Sequence, residues 1–84
     1  MKVHEKHVEH ITAKLENKKI MSIKRLKKLP KKISYITWSL GDEVESDYSY
    51  EVKTNTDEIY YFMIITFFNL FILQSKMFKE QTIP

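Results

Sequence analysis

The sequence has no cysteine, one glycine and two prolines in 84 residues. Without cysteine there is no disulfide framework, cysteine zinc site, iron–sulfur site or thiol nucleophile. The single glycine, Gly41, excludes a glycine-rich phosphate loop of either common type, which needs two or three glycines close together. Arginine is scarce too: Arg25 stands alone against thirteen lysines. That ratio, with frequent Ile, Phe and Tyr, is the bias of an AT-rich coding sequence, so the position of the charges informs more than their sum. Met1–Leu15 is charged throughout and has no apolar h-region, so no secretory signal is expected and the expected compartment is the cytoplasm.

What is present suffices for one small domain over 1–84. A chain of this length buries roughly 60–65% of its unfolded surface, which leaves a thin margin. With 43% apolar and 13% aromatic residues the composition is that of a folded domain that needs no metal or disulfide staple.

The charges are segregated. Residues 1–41 hold eleven cations and three acids; residues 42–84 hold three cations and eight acids. Lys18–Lys32 contains eight cations and no acid, while Asp42–Glu58 contains seven acids and one cation, Lys53. Such polarisation gives a domain two faces of opposite sign that steer partners.

Val8, Ile11 and Leu15 fall on one helical face and predict a helix over 3–16, interrupted at Asn17-Lys18. Ile20, Ile23 and Leu26 predict a second helix over 19–29, stopped by Pro30. A single bent helix is the alternative. Ile33–Leu40 reads as a strand and Gly41-Asp42 as a turn. Val44–Lys53 alternates, with Val44, Tyr48, Tyr50 and Val52 inward and Glu45, Asp47, Ser49, Glu51 and Lys53 on an acidic outer face. Thr54-Asn55-Thr56-Asp57 is a second turn. Residues 58–66 are apolar at both parities, as in a strand covered on both faces, and 67–80 takes a helical period through Phe67, Leu70, Phe71, Gln74, Met77 and Phe78. A hairpin turning near Asn69 is the alternative there. The uncharged stretch Ile59–Leu73 is fifteen residues long, short of the roughly 20 a spanning helix needs, so it is expected in the core and not in a membrane.

The fold class expected is α+β: an N-terminal helical segment, a three-stranded antiparallel meander and a C-terminal helix. This order resembles that of the double-stranded-RNA-binding domain. The basic final helix of that family is not matched, since 67–80 carries only Lys76 and Lys79, and its function is not carried over. Because 58–66 is apolar on both faces, a homodimer is the expected way to bury what one helical layer leaves open.

His4, His7 and His10 are spaced i, i+3, i+6, whereas a helical metal pair takes i, i+4 with further ligands from elsewhere, and the chain has no other His or Cys. The simpler reading is an exposed, frayed helix with polar residues. Ser, His and Asp occur without a nucleophile-elbow motif. Glu51-Val52-Lys53, with Asp42 nine residues earlier, resembles the metal-binding pattern of restriction-endonuclease-like nucleases, where two acids hold Mg²⁺ and a Lys orients water. The resemblance covers three residues, and alternation on a solvent face accounts for them. No catalytic residue, metal or cofactor is expected.

Two charged segments are the candidate sites. Asp42, Glu43, Glu45, Asp47 and Glu51, beside Tyr48, Tyr50 and Tyr60, could imitate a phosphate backbone and dock into the basic groove of a nucleic-acid enzyme. Gly41, Glu45, Ser46 and Asp47 followed by Thr56, Asp57 and Glu58 resemble the phage uracil-DNA glycosylase inhibitors over a handful of residues. The overall acidity of those inhibitors is missing, and membership is not claimed. An ordinary charged edge that deters strand pairing is the simpler reading. The second segment is Lys18, Lys19, Lys24, Arg25, Lys27, Lys28, Lys31 and Lys32, which could lie against phosphates. A single Arg argues against base readout, so any nucleic-acid binding would be non-specific.

The function expected is therefore that of a small non-catalytic inhibitor, of the kind viral and mobile-element genes encode against host defences. It would block a host nucleic-acid-handling protein through the acidic hairpin. A nucleic-acid-binding accessory protein using Lys18–Lys32 is the alternative.

Overall fold

In the computed structural model, which describes residues 2–31, 48–68 and 71–80, one helix lies on a four-stranded antiparallel sheet. Helix α1 is Glu5–Lys14; strands β1 to β4 are Ile20–Leu26, Tyr48–Thr54, Ile59–Phe67 and Phe71–Lys79, in the spatial order β1-β2-β3-β4.

The helix begins where His4 takes an extended conformation and its carbonyl accepts the N–H groups of His7 and Val8, both at 3.0 Å. Glu5 in the first turn and Lys14 in the last complement the helix dipole. It ends at Leu15, ahead of Asn17-Lys18 as expected. Its buried line is His7, Ile11 and Leu15, with Val8 only half-buried, so the stripe is turned from the one Val8 suggested.

Ile11 and Leu15 pack on Tyr50 and Val52 of β2 and on Tyr60, Phe62 and Ile64 of β3. Phe62 and Ile64 are wholly enclosed, each worth about 1.5–3 kcal/mol relative to exposure. The other sheet face carries Tyr61 and Met63, which pack with Leu29, Leu26, Ile59 and Phe78. Strand β3 is thus covered on both faces within one chain, which removes the reason given above for a homodimer.

The β2–β3 turn follows the sequence: Asp57 N–H reaches the Thr54 carbonyl at 3.1 Å, and Asp57 takes φ 61°, a left-handed value that Asp tolerates. At the β3–β4 end, Phe68 has φ 45° and its carbonyl accepts the Phe71 N–H at 3.1 Å.

Two expected helices are strands. Residues 19–29 contain β1, paired with β2, and 67–80 contain β4, paired with β3; the described residues have no C-terminal helix, and the sheet has four strands rather than three. The resemblance in element order to the double-stranded-RNA-binding domain goes with that helix. The cause is the same in both cases. The β1 register shifts between Ile20 and Ser22, and the β4 register shifts so that Leu73 is an extra residue between Ile72 and Gln74. A bulge breaks period-two alternation, and the remaining apolar spacing imitates a helix. The hairpin alternative near Asn69 is the arrangement observed. The expected strand Ile33–Leu40 and the turn at Gly41-Asp42 lie outside the described residues.

Candidate functional site

Strand alternation puts the side chains of Ser22, Lys24 and Leu26 of β1 on the sheet face away from α1, level with Lys53, Glu51 and Ser49 of β2. Glu51, the one candidate of the acidic set within the described residues, is half-buried there, with Lys24 across one register and Tyr61 across the other. Burial, and then the Glu51 charge, push the Tyr61 hydroxyl above its ordinary pKa. Ser49 on this face is buried, so around Glu51 the expected acidic solvent face is a mixed, partly covered one. Asp42, Glu43, Glu45 and Asp47 lie outside the described residues, which also leaves the nuclease-like pairing of Asp42 with Glu51 and Lys53 without described geometry.

The basic set divides. Lys19, Lys24, Lys27, Lys28 and Lys31 are exposed along β1 and just beyond its end. Lys18 and Arg25 are engaged, and Lys32 lies outside the described residues. Arg25 sits 4.4 Å over the Tyr48 ring and donates to the Lys2 carbonyl at 3.3 Å. Its guanidinium also lies 3.4 Å from His4 Nε2; since Arg has no acceptor, the imidazole accepts.

Glu58, the last acid of the acidic segment, is a structural hub. Lys18 donates to one carboxylate oxygen at 2.8 Å and Lys79 to the other at 2.6 Å. Thr56 adds a hydroxyl at 2.9 Å and Tyr60 another at 3.3 Å. Lys18 first, then Lys79 and Thr56, hold the Glu58 carboxyl down to a pKa of about 2. The same bonds raise Lys18 and Lys79. Glu58 therefore ties the segment after α1, the β2–β3 turn and the end of β4 together. It is spoken for within the chain, although it is one of the residues that echo the glycosylase inhibitors.

The three histidines take three different hydrogen-bond partners, although the His4 and His7 rings meet edge-to-face at 5.4 Å. His4 Nε2 meets Arg25, His7 Nδ1 lies 2.6 Å from the Tyr50 hydroxyl, and His10 Nε2 lies 2.7 Å from the Ser75 hydroxyl. Burial, then Lys14, lower the His10 pKa. Among the described residues no three His, Asp or Glu side chains gather in a metal-holding group. His7 is fully enclosed, which corrects the picture of an exposed, frayed helix. Its position one turn before Ile11 and two before Leu15 was the available signal.

Sequence reasoning missed one surface. Phe67, Phe68 and Phe71 cluster at the turn end of the β3–β4 hairpin, with Phe68 80% exposed, and with Lys6 they line an open depression of about 460 Å³. Leu73 and Met77 of β4 are also exposed. Among the described residues no helix is long and apolar enough to cross a membrane; the uncharged stretch instead supplies β3 and the start of β4.

Compared with family models, curated proteins and solved structures, the chain matches none.

Proposed function

We propose that the chain is a non-catalytic interaction protein that occupies a surface of a larger nucleic-acid-handling protein, with the carboxylates Asp42, Glu43, Glu45 and Asp47 as the contact set. The observation that carries the reading is where this run joins the fold. Asp47 is followed directly by Tyr48, the first residue of β2, an inner strand whose Tyr50 and Val52 are completely enclosed. An acidic run fixed at one end to the most buried part of a small domain loses less entropy on docking than a free tail does. Glu51 is left out of this contact set because it lies level with Lys24 and Tyr61 within the chain. The proposed setting is a host cell's cytoplasm, with the chain acting as an inhibitor in evasion of host defence.

A second reading is favoured by the exposure of Lys19, Lys24, Lys27, Lys28 and Lys31: the chain binds nucleic acid itself, without sequence preference. Five phosphate contacts would make affinity fall about 500-fold between about 50 and 200 mM salt.

Charge reversal separates the two. The expected result is that Glu45→Lys with Asp47→Lys abolishes capture of a protein partner, while Lys24→Glu with Lys28→Glu leaves it intact. The reverse pattern, together with steeply salt-dependent binding of labelled DNA or RNA, would replace the first reading with the second.

A further inference from the structure

We infer that two copies of this chain pair through the outer edge of β4, antiparallel about a two-fold axis at Met77, to form one continuous eight-stranded sheet.

The sheet has two edges among the described residues, β1 and β4. Strand β1 is guarded: it opens on a register irregularity and leads into Lys27 and Lys28. Bulges and lysines are the usual devices that stop an edge from recruiting another strand. Strand β4 has its irregularity at Leu73, which leaves the stretch from Gln74 to Lys79 regular; it has no proline and exposes Phe71, Leu73 and Met77. Of its two lysines, Lys79 is already held by Glu58 at 2.6 Å.

Backbone geometry then selects the register. Glu80 N–H bonds to the Ile59 carbonyl at 2.8 Å, and Tyr60 is level with Lys79. In an antiparallel ladder, hydrogen-bonded pairs alternate with non-bonded ones, so Gln74, Lys76 and Phe78 turn their amides toward β3. Ser75, Met77 and Lys79 turn theirs outward. An axis at Met77 pairs Ser75 with Lys79 of the second copy and Met77 with itself. All three outward residues of each copy are then used, giving six ladder bonds.

The other registers fail on the same residues. An axis at Lys76 sets two lysines directly opposite each other, which is destabilising. An axis at Ser75 runs the ladder into the extra residue at Leu73. An axis at Phe78 pairs Met77 with Lys79 but sets Ser75 opposite a position past Lys79, the end of β4, so it keeps four ladder bonds instead of six. At Met77 each cation directly faces an uncharged residue, Lys79 opposite Ser75 and Lys76 opposite Phe78. On the diagonals, about 7–8 Å away, each Lys76 has the second copy's Glu80 on one side and its Lys76 on the other. Directly opposed residues share a sheet face, so both α1 helices would lie on one side of the joined sheet.

The test uses the full chain. Sedimentation should give twice the 10.1 kDa chain mass at high micromolar concentration. Met77→Arg should give the monomer mass with an unchanged circular dichroism spectrum, since Met77 is 45% exposed and its loss leaves the core intact. Met21→Arg, the same change on β1, should leave the dimer in place. The chain has no native cysteine, so Met77→Cys should form a disulfide-linked dimer on mild oxidation, because the roughly 5.5 Å Cα separation of a hydrogen-bonded pair fits disulfide geometry. Lys79→Cys, which faces Ser75 and not itself, should cross-link far less. A monomer at all concentrations, a dimer that survives Met77→Arg, or cross-linking of Lys79→Cys in preference to Met77→Cys would each overturn the proposal.

Discussion

His7 Nδ1 and the Tyr50 hydroxyl meet 2.6 Å apart across the helix–sheet interface, both side chains shut off from solvent. The contact joins residues 43 positions apart and fixes the orientation of α1 on β2. His4 and Tyr48 complete an edge-to-face ring cluster around it, with His7 and Tyr48 centroids 4.6 Å apart. Burial pushes the Tyr50 hydroxyl above its ordinary pKa.

Removing one side of this pair should cost more than removing both. Tyr50→Phe deprives a buried imidazole nitrogen of its hydroxyl partner and should destabilise the fold by about 1–3 kcal/mol. Adding His7→Leu to that variant should recover part of the loss, because two apolar groups of similar size leave nothing unsatisfied at this contact. Urea denaturation of the two single variants and the double closes the cycle. Additive losses would show that the hydrogen bond is not the source of the effect.

Acid should act through Glu58. Its folded-state pKa of about 2 lies below the ordinary 4.5, so its contribution is fully present above pH 4.5 and is lost as pH falls toward about 2. Lys18 and Lys79 are raised above the ordinary 10.5, so their share is lost as pH rises through their folded-state values. Glu58→Gln should flatten the melting-temperature profile at both extremes and lower it in between. A variant with the same acid limb as the parent would place the acid-sensitive group elsewhere.

Arg25 should behave as a structural residue despite lying in the basic segment. Arg25→Lys keeps the charge but loses the planar contact on Tyr48 and the Nη1 hydrogen bonds to Lys2 and His4, a cost of about 1–2 kcal/mol. Its effect on nucleic-acid affinity should be no larger than that of a distant substitution such as Lys53→Arg. Thermal melts and fluorescence anisotropy together read both quantities.

The readable parts of the fold share a property: their signal is local. The line of Ile11 and Leu15, the alternation of Tyr48, Tyr50 and Val52, the turn at Thr54–Asp57 and the all-apolar Ile59–Thr66 each follow from period and turn chemistry. The unreadable parts depend on register. Ile20, Ile23 and Leu26 fit a helical period, yet the irregularity at Met21 lets Ile20 and Ile23 both pack toward α1 while Leu26 joins the opposite cluster. Leu73 does the same to β4. The candidate sites divided likewise, since no sequence pattern distinguishes Lys24, exposed on an edge, from Lys18, bound to a carboxylate forty residues away.

By itself the sequence determined the class of the fold: a small α+β fold, without thiol or phosphate-loop chemistry, polarised in charge and carrying a central apolar strand. Those properties are sums and short-range periods, which need no knowledge of what packs against what. Only the tertiary structure decided that the segments before and after the inner hairpin are strands. An inner strand needs hydrogen-bond partners on both sides, and that demand outweighs a weak local helical period. The same pairing put β4 at the edge of the sheet among the described residues, with Met77 midway between Ser75 and Lys79, the other residues whose amides turn outward.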